Sequence, residues 1–333
     1  MRKLIIIIVS LGVLWGGYWF VGSNAVEKGL TSWLSDTSNR GWVAKFSALN
    51  TKGFPNRFDT TFNDLKVEIG NGDLTWAVPF FQIFALSYKP NHIIAVWPNE
   101  QTLLLPKQRL AITSDRMRGS IKFRPETALT LSRSSVEISN FHVQSNLGWS
   151  TSAETGQFNT RQSEEITDAH DVVLQTLKLR LSDQFMSFLD PEHKLPDQFE
   201  AVKVELSMGF DGPWDRLAIE QKRPNLTGVG VKNLQIVWGE LEFSATGKLT
   251  TDTQGFLSGK LEITAQNWRG IYKILVRMGL IQGSFMGAVE GFLQIMALET
   301  EDPDLLVADW VFQDGRMRLG AIPLGPAPRI VRR

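Results

Sequence analysis

Hydrophobic residues are most concentrated at the start of the chain, where residues 4–21 (LIIIIVSLGVLWGGYWFV) form an uncharged run of 18 residues. At about 1.5 Å of rise per residue, this run makes a helix of about 27 Å, close to the thickness of a bilayer's hydrocarbon core. Arg2 and Lys3 precede the run, which keeps the amino end in the cytoplasm and directs the rest of the chain outward. Aromatic residues gather near the outer end, as in an interfacial belt: Trp15, Tyr18, Trp19 and Phe20.

The same segment has a second interpretation as a cleaved signal peptide, because Ser23, Asn24 and Ala25 offer small residues to a peptidase. The run is longer than a usual signal core, and apolar residues continue beyond it at helical spacing: Val26, Leu30, Trp33 and Leu34. We therefore favour a retained anchor. The predicted domains are a transmembrane anchor or uncleaved signal over residues 1–22, an amphipathic helix over 23–40, and a β-rich periplasmic body over 41–333.

Beyond Gly41 the dominant hydrophobic period is two, which is typical of strands with one buried face. Residues 65–69, 177–181 and 202–210 alternate in this way. Residues 241–265 alternate on both sides of a turn at 252–255, and Asp314-Gly315 separates two short apolar segments, so both stretches predict hairpins. The predicted fold is mainly β, with an antiparallel curved sheet, a sandwich or an open barrel. The pattern is equally compatible with a filled and a hollow interior.

Two segments near the carboxyl end have helical spacing, one from Trp268 to Met278 and one through Val289 and Leu293. They predict a C-terminal helical hairpin that covers a sheet. In the second segment, glycines recur at four-residue spacing and predict a groove for close packing: Gly283, Gly287 and Gly291. Two polar runs, residues 151–171 and 189–198, predict loops within one β-rich body.

Composition narrows the chemistry. The 35 basic and 35 acidic residues balance, so no summed field favours nucleic acid, and the absence of Cys excludes disulfides and thiolate chemistry. Eleven Trp fit either a thick core or proximity to lipid. No nucleophile elbow, phosphate loop, dinucleotide fingerprint or zinc-protease motif occurs. His170 has acidic neighbours in Glu164, Glu165, Asp168 and Asp171, but carboxylates in a polar run are normally solvated. We assign no catalytic, cofactor-binding or metal-binding residue.

Three motifs carry a resemblance to a known family: GFPNRFD at residues 53–59, SYKPNHIIAVWP at 87–98 and GRMRLGAIPLGPAPRI at 315–330. Together they resemble an uncharacterised family of Gram-negative bacteria, the domain of unknown function 2125, over nearly the whole body. This resemblance supplies no catalytic residue. Residues 245–268 are more loosely similar to the strand pairs of AsmA-type envelope proteins. That likeness implies an inner-membrane anchor carrying a curved sheet with an apolar groove for lipid.

These patterns predict a non-enzymatic inner-membrane protein whose periplasmic sheet offers an apolar groove to a lipid or an acyl chain. Four residues are predicted to line it: Trp238, Phe243, Leu261 and Ile263. In a closed sandwich the same residues would be core. The expected partners are inner-membrane lipid and another envelope protein, with no nucleic acid and no cofactor. The alternatives are a filled structural or interaction module and a hydrolase whose carboxylates converge only on folding.

Overall fold

The computed structural model describes residues 1–36, 41–70, 72–252, 254–281, 283, 286–320 and 322–330, with 18 strands and five helices among them. The chain divides into two compact units: unit 1 comprises residues 1–125 and 134–149, and unit 2 comprises residues 126–133 and 150–333. In both units the strands pair antiparallel. The prediction of a mainly β, antiparallel fold is confirmed.

Helix α1 (Arg2–Asp36) is continuous through the predicted anchor and most of the predicted amphipathic helix. Residues 37–40, the end of that second prediction, lie outside the described residues. In the described part of the chain, α1 alone is long and apolar enough to cross a membrane. Its apolar side chains from Leu4 to Leu14 are exposed, as a membrane span requires.

Unit 1 contains the first nine strands: β1 (Trp42–Lys45), β2 (Ala48–Lys52), β3 (Arg57–Ile69), β4 (Leu74–Leu86), β5 (Lys89–Trp97), β6 (Glu100–Leu105), β7 (Gln108–Thr113), β8 (Arg116–Phe123) and β9 (Leu131–Ser145), whose first three residues belong to unit 2. Strand β3 is central, because it pairs with β1, β2 and β4. Its residues Phe58, Thr60 and Phe62 share one buried face, as the alternation predicts. Arg57 and Asp59 form an ion pair of 2.9 Å on the other face.

Unit 2 is a meander in which each strand pairs with the next: β10 (Ser150–Gln162), β11 (Ala169–Leu179), β12 (Phe199–Phe210), β13 (Leu226–Trp238), β14 (Leu241–Thr251), β15 (Leu257–Gln266), β16 (Leu305–Gln313), β17 (Arg316–Leu319) and β18 (Ile322–Pro326). Both predicted hairpins are confirmed, as β14–β15 and β16–β17. In the second, Asp314 and Gly315 have φ of 52° and 69°, which a tight two-residue turn requires.

The described residues of unit 2 also form four helices: α2 (Asp183–Leu189), α3 (Arg216–Glu220), α4 (Trp268–Arg277) and α5 (Met286–Ala297). Ser182 caps α2, because its hydroxyl accepts a hydrogen bond from the Phe185 amide. Helices α4 and α5 occur where the sequence predicts helices and share a core with Ala265 and Leu306 of the sheet. Their arrangement as a hairpin stays a prediction.

Two sequence interpretations are wrong. The polar run over residues 151–171 is a loop only from 163 to 168: its first part forms most of β10, which pairs with β11 from Thr155 to Gln162, and its last three residues begin β11. The predicted glycine groove does not pack closely against the described residues, since a β-carbon built on Gly283, Gly287 or Gly291 meets none of their atoms within 4 Å. The second polar run contains the turns between α2 and β12, as expected.

Candidate functional site

The first of two exposed apolar surfaces among the described residues is α1 from Leu4 to Leu14, and the helix beyond it packs on the sheet of unit 1. Trp19 is only 6% exposed, and its indole N–H donates to the carbonyl of Arg57 at 2.7 Å. A β-carbon on Gly22 would lie 2.7 Å from the ring of Phe58, so the helix backbone approaches β3 closely here. Further along, Glu27 accepts a hydrogen bond of 2.6 Å from the Thr51 amide. The part of α1 that follows the apolar segment is therefore packed against the sheet of unit 1.

The second surface is one face of the unit 2 sheet. Directly paired residues point to the same side of a sheet, so the register defines rows of neighbouring side chains across the strands. One such row contains Phe158, Leu174, Val204, Leu234, Ala245, Ile263 and Ala308. The next row along the strands contains Thr160, Val172, Leu206, Val231, Gly247, Leu261 and Trp310. We call the side that carries these rows the apolar face.

Helices cover only part of the apolar face. Ala245, Ile263 and Ala308 are buried and pack together with Met296 of α5. Towards β10 the cover ends, and Leu174 is 47% exposed and Phe158 37% exposed. We define the open strip as the partly or largely exposed apolar side chains on β10, β11 and β12: Phe158, Val172, Leu174, Val202, Val204 and Leu206. Strand spacing and rise give it dimensions of about 10 Å across the strands and 13 Å along them.

The opposite side of the same strands is mostly polar. Burial is the largest single influence on the Asp171 carboxyl group and raises its pKa. A hydrogen bond of 2.7 Å from Lys232 and an ion pair with Arg161 act together in the other direction. Their combined effect is larger, so the pKa is lowered. Lys203 pairs with Glu205 along β12 at 2.8 Å. The polar side is thus suited to water, whereas the open strip, on the opposite side of the same strands, exposes aliphatic and aromatic carbon atoms.

The four residues predicted to line a groove all lie on the apolar face, in its covered part. Trp238 packs with α2 and Leu241, and its indole N–H donates to the carbonyl of Pro196 at 2.7 Å. Leu261 lies in a core cluster with Phe312. Phe243 and Ile263 pack near Met296. Their role as groove residues stays a prediction, and sequence reasoning did not single out Phe158 or Leu174, the most exposed members of the strip.

His170 is buried, whereas Glu164 and Glu165 are exposed. Its side chain lies within 3.3 Å of the Thr160 hydroxyl and edge-on to the ring of Phe210. Burial lowers the pKa of the imidazole, while the charge of Asp171 opposes that shift. Within the described ranges, no group of three or more His, Asp or Glu side chains is placed to hold a metal ion.

Each unit also has a cleft whose lining mixes charged and apolar side chains. The cleft of unit 1, of about 560 Å³, has both signs of charge in its lining, including Asp64, Lys66, Glu100 and Arg109. The cleft of unit 2, of about 470 Å³, is lined by three basic and three acidic residues among others: Lys194, Lys273, Arg277, Asp190, Glu192 and Glu240. An acyl chain in either cleft would lie against charged as well as apolar side chains.

The apolar helix and the antiparallel sheets define the class of molecule, a β-rich protein with a candidate membrane anchor. The chain belongs to the family described as "Uncharacterized protein conserved in bacteria (DUF2125)", whose model matches residues 19–328. This confirms the family resemblance drawn from the three motifs. Comparison with curated proteins and with solved structures gave no match. The likeness to AsmA-type envelope proteins stays a prediction.

Proposed function

We propose that the protein is a non-enzymatic, inner-membrane-anchored protein of the cell envelope, with its body in the periplasm, that holds an acyl chain of a lipid on the open strip of unit 2. The observation that carries the proposal is the strip itself: contiguous apolar side chains, up to 47% exposed, on a sheet whose other side is polar. Anchor and strip together support a role beside the membrane.

An acyl chain fits the chemistry of the strip better than a polar ligand does. The strip contains five aliphatic side chains and one phenyl ring, and none of them can donate or accept a hydrogen bond. Affinity would therefore come from apolar burial, which contributes about 0.8 kcal/mol for each CH₂ group removed from water. A protein partner would use the same apolar side chains as the centre of a larger contact surface with a polar rim.

The test uses the full-length protein in its membrane, incubated with a photoactivatable fatty acid. Cross-linked peptides are then identified by mass spectrometry. We expect cross-links on β10, β11 and β12. Cross-links confined to α1 would contradict acyl binding by the strip, and capture of a protein at β10–β12 in place of the fatty acid would establish an interaction module instead.

Two adjacent positions on β11 give a matched pair of variants. Leu174→Glu places a carboxylate on the open strip, and Gln175→Glu places the same charge on the opposite side, across from Lys203. Bringing a carboxylate against an acyl chain costs at least about 1.4 kcal/mol, so we expect Leu174→Glu to weaken cross-linking about tenfold or more. Gln175→Glu should leave it unchanged. Equal cross-linking in the two variants would refute the assignment.

A further inference from the structure

Two turns of unit 1 lie side by side at one end of its sheet. The first, residues 53–56, joins β2 to β3, and the second, Ser87 and Tyr88, joins β4 to β5. The Ser87 amide donates to the carbonyl of Asn56 at 2.9 Å, which links the turns directly. We call these two turns the tip. It contains the GFPN of the first family motif and the SY of the second.

The tip packs against α1 within the helix's uncharged segment. A β-carbon built on Gly16 lies 3.7 Å from the ring of Phe54, and the Tyr18 hydroxyl donates to the carbonyl of Ser87 at 2.7 Å. Trp15 donates to the carbonyl of Pro55 at 3.0 Å. The uncharged segment continues from Gly16 to Val21, which is about 7 Å further along the helix. The ring of Phe54 therefore lies beside residues that a membrane span places in or near the bilayer.

The tip also exposes the side chains that an interface with lipid requires. Phe54 and Tyr88 are each 56% exposed although both are large aromatic residues. Lys52 and Lys89 flank the two turns and are exposed, and in the described part of the chain neither forms an ion pair with an acidic residue. Aromatic rings settle at the level of lipid headgroups, and lysines beside them bind anionic phosphates.

We propose that the tip is a second membrane contact, in which Phe54 and Tyr88 insert into the headgroup region of an anionic phospholipid bilayer and Lys52 and Lys89 bind its phosphates. The proposal rests on the proposed function in one respect, since α1 must span the same bilayer. It adds that unit 1 sits on the membrane surface instead of being held away from it by a length of helix.

The absence of Cys allows the depth of single positions to be measured. Full-length Tyr88→Cys and Asn56→Cys variants are labelled with a nitroxide and reconstituted into vesicles of phosphatidylcholine and phosphatidylglycerol. Collisions with oxygen and with a water-soluble nickel complex then give the depth of the label. We expect both labels in the boundary between headgroups and acyl chains, a zone that reaches about 5–10 Å below the surface.

Leu147→Cys provides the matched control. Leu147 is also an exposed apolar residue on a turn of unit 1. Strand β9 pairs with β7, β7 with β6, and β6 with the first residues of β4, so this turn is level with the start of β4. The tip lies beside the other end of β4. The 13 residues of β4 separate these ends by about 40 Å. A label at Leu147 should be exposed to water. If labels at residues 56 and 88 are as accessible to nickel as the one at 147, the proposal is refuted.

A label at Val9, in the middle of the uncharged segment, separates the two proposals. A deep label at Val9 with water-exposed labels at 56 and 88 would leave the anchor in place and remove the tip contact. A water-exposed label at Val9 would remove the anchor itself.

The charges are tested by the double variant Lys52→Glu and Lys89→Glu in the Tyr88→Cys background. We expect the label to shift towards water in vesicles that contain phosphatidylglycerol. Lys107→Glu is the control, since Lys107 lies on the turn between β6 and β7, at the far end of the sheet. An unchanged depth in the double variant would refute the role of the lysines.

Discussion

At the scale of single residues, Gly22 limits how closely α1 can approach unit 1. A β-carbon there would lie 2.7 Å from the ring of Phe58, which is buried and in contact with Trp19. We expect Gly22→Ala to push the helix from β3 and lower the free energy of unfolding by about 1–3 kcal/mol, despite alanine's better helix propensity. Urea unfolding of the detergent-purified full-length protein measures the change.

Gly29→Ala is the control for this substitution. Gly29 lies in the same helix, but a β-carbon built on it meets no atom of the described part of the chain within 4 Å. This variant should be as stable as the natural protein or gain up to about 1 kcal/mol. If the two variants were equally stable, the close contact between α1 and β3 would not exist in solution.

Burial of His170 predicts that the stability of the folded protein depends on pH. Burial lowers the pKa of its imidazole from the usual 6.5. Between that lowered value and 6.5 the unfolded chain binds a proton that the folded chain does not, so stability falls as pH falls through this window. Proton NMR of the imidazole signals should show His170 titrating below 6.5. His170→Gln should abolish that titration and His193→Gln should not, and the opposite result would contradict the buried placement.

At the scale of elements, helix α5 packs over the sheet of unit 2, and only its sheet-facing apolar residues are expected to stabilise that packing. Leu293 is buried against Trp268 and Leu306, whereas Ile295, two residues later on the same helix, is exposed. We expect Leu293→Ala to destabilise the packing of α5 by about 2–5 kcal/mol, and Ile295→Ala to change it by less than about 0.5 kcal/mol.

Hydrogen exchange measured by mass spectrometry reads this effect locally. Leu293→Ala should speed exchange of the backbone amides of α5 and of β16, which packs against it. Ile295→Ala should leave their exchange as it is. Equal protection in the two variants would mean that α5 does not cover the sheet as described.

The elements also show what local pattern can predict. Strands β3, β12 and β14 alternate so regularly that their apolar faces follow from the sequence. Strand β10 has no such alternation, since Thr, Ser, Gln and Asn occupy most of its positions. It is a strand because β11 supplies backbone partners along residues 155–162, a non-local cause that no window of sequence contains.

At the scale of the molecule, alternation identified the apolar face of unit 2 but not its open part. Trp238 and Ile263 have the same polarity as Leu174, and they differ because α2, α4 and α5 pack over one end of the face. The difference in exposure comes from tertiary packing, which the local sequence pattern does not contain. The tip has the same origin, because only the packed structure shows Phe54 against Trp19 and Phe20 of α1.

The charges at the amino end predict the direction in which the chain crosses the membrane. Arg2 and Lys3 precede the uncharged segment and should hold the amino end in the cytoplasm, which leaves both units on the outer side. The Leu147→Cys variant tests this, because its thiol should react with a membrane-impermeant maleimide added to spheroplasts. Intact mass of the labelled protein should include residues 1–25, because Trp19 and Gly22 pack on unit 1 in the folded protein.

Reversing the charge before the segment should weaken this orientation. With Arg2→Glu and Lys3→Glu together we expect a smaller labelled fraction at Leu147→Cys, since the positive charges that set topology are gone. Lys66→Glu, an exposed change on β3, should leave labelling complete. Labelling only after the membrane is broken would place the body in the cytoplasm. A mass that begins after Ala25 would make the segment a signal peptide, and the contacts of α1 with unit 1 would then be absent from the mature protein.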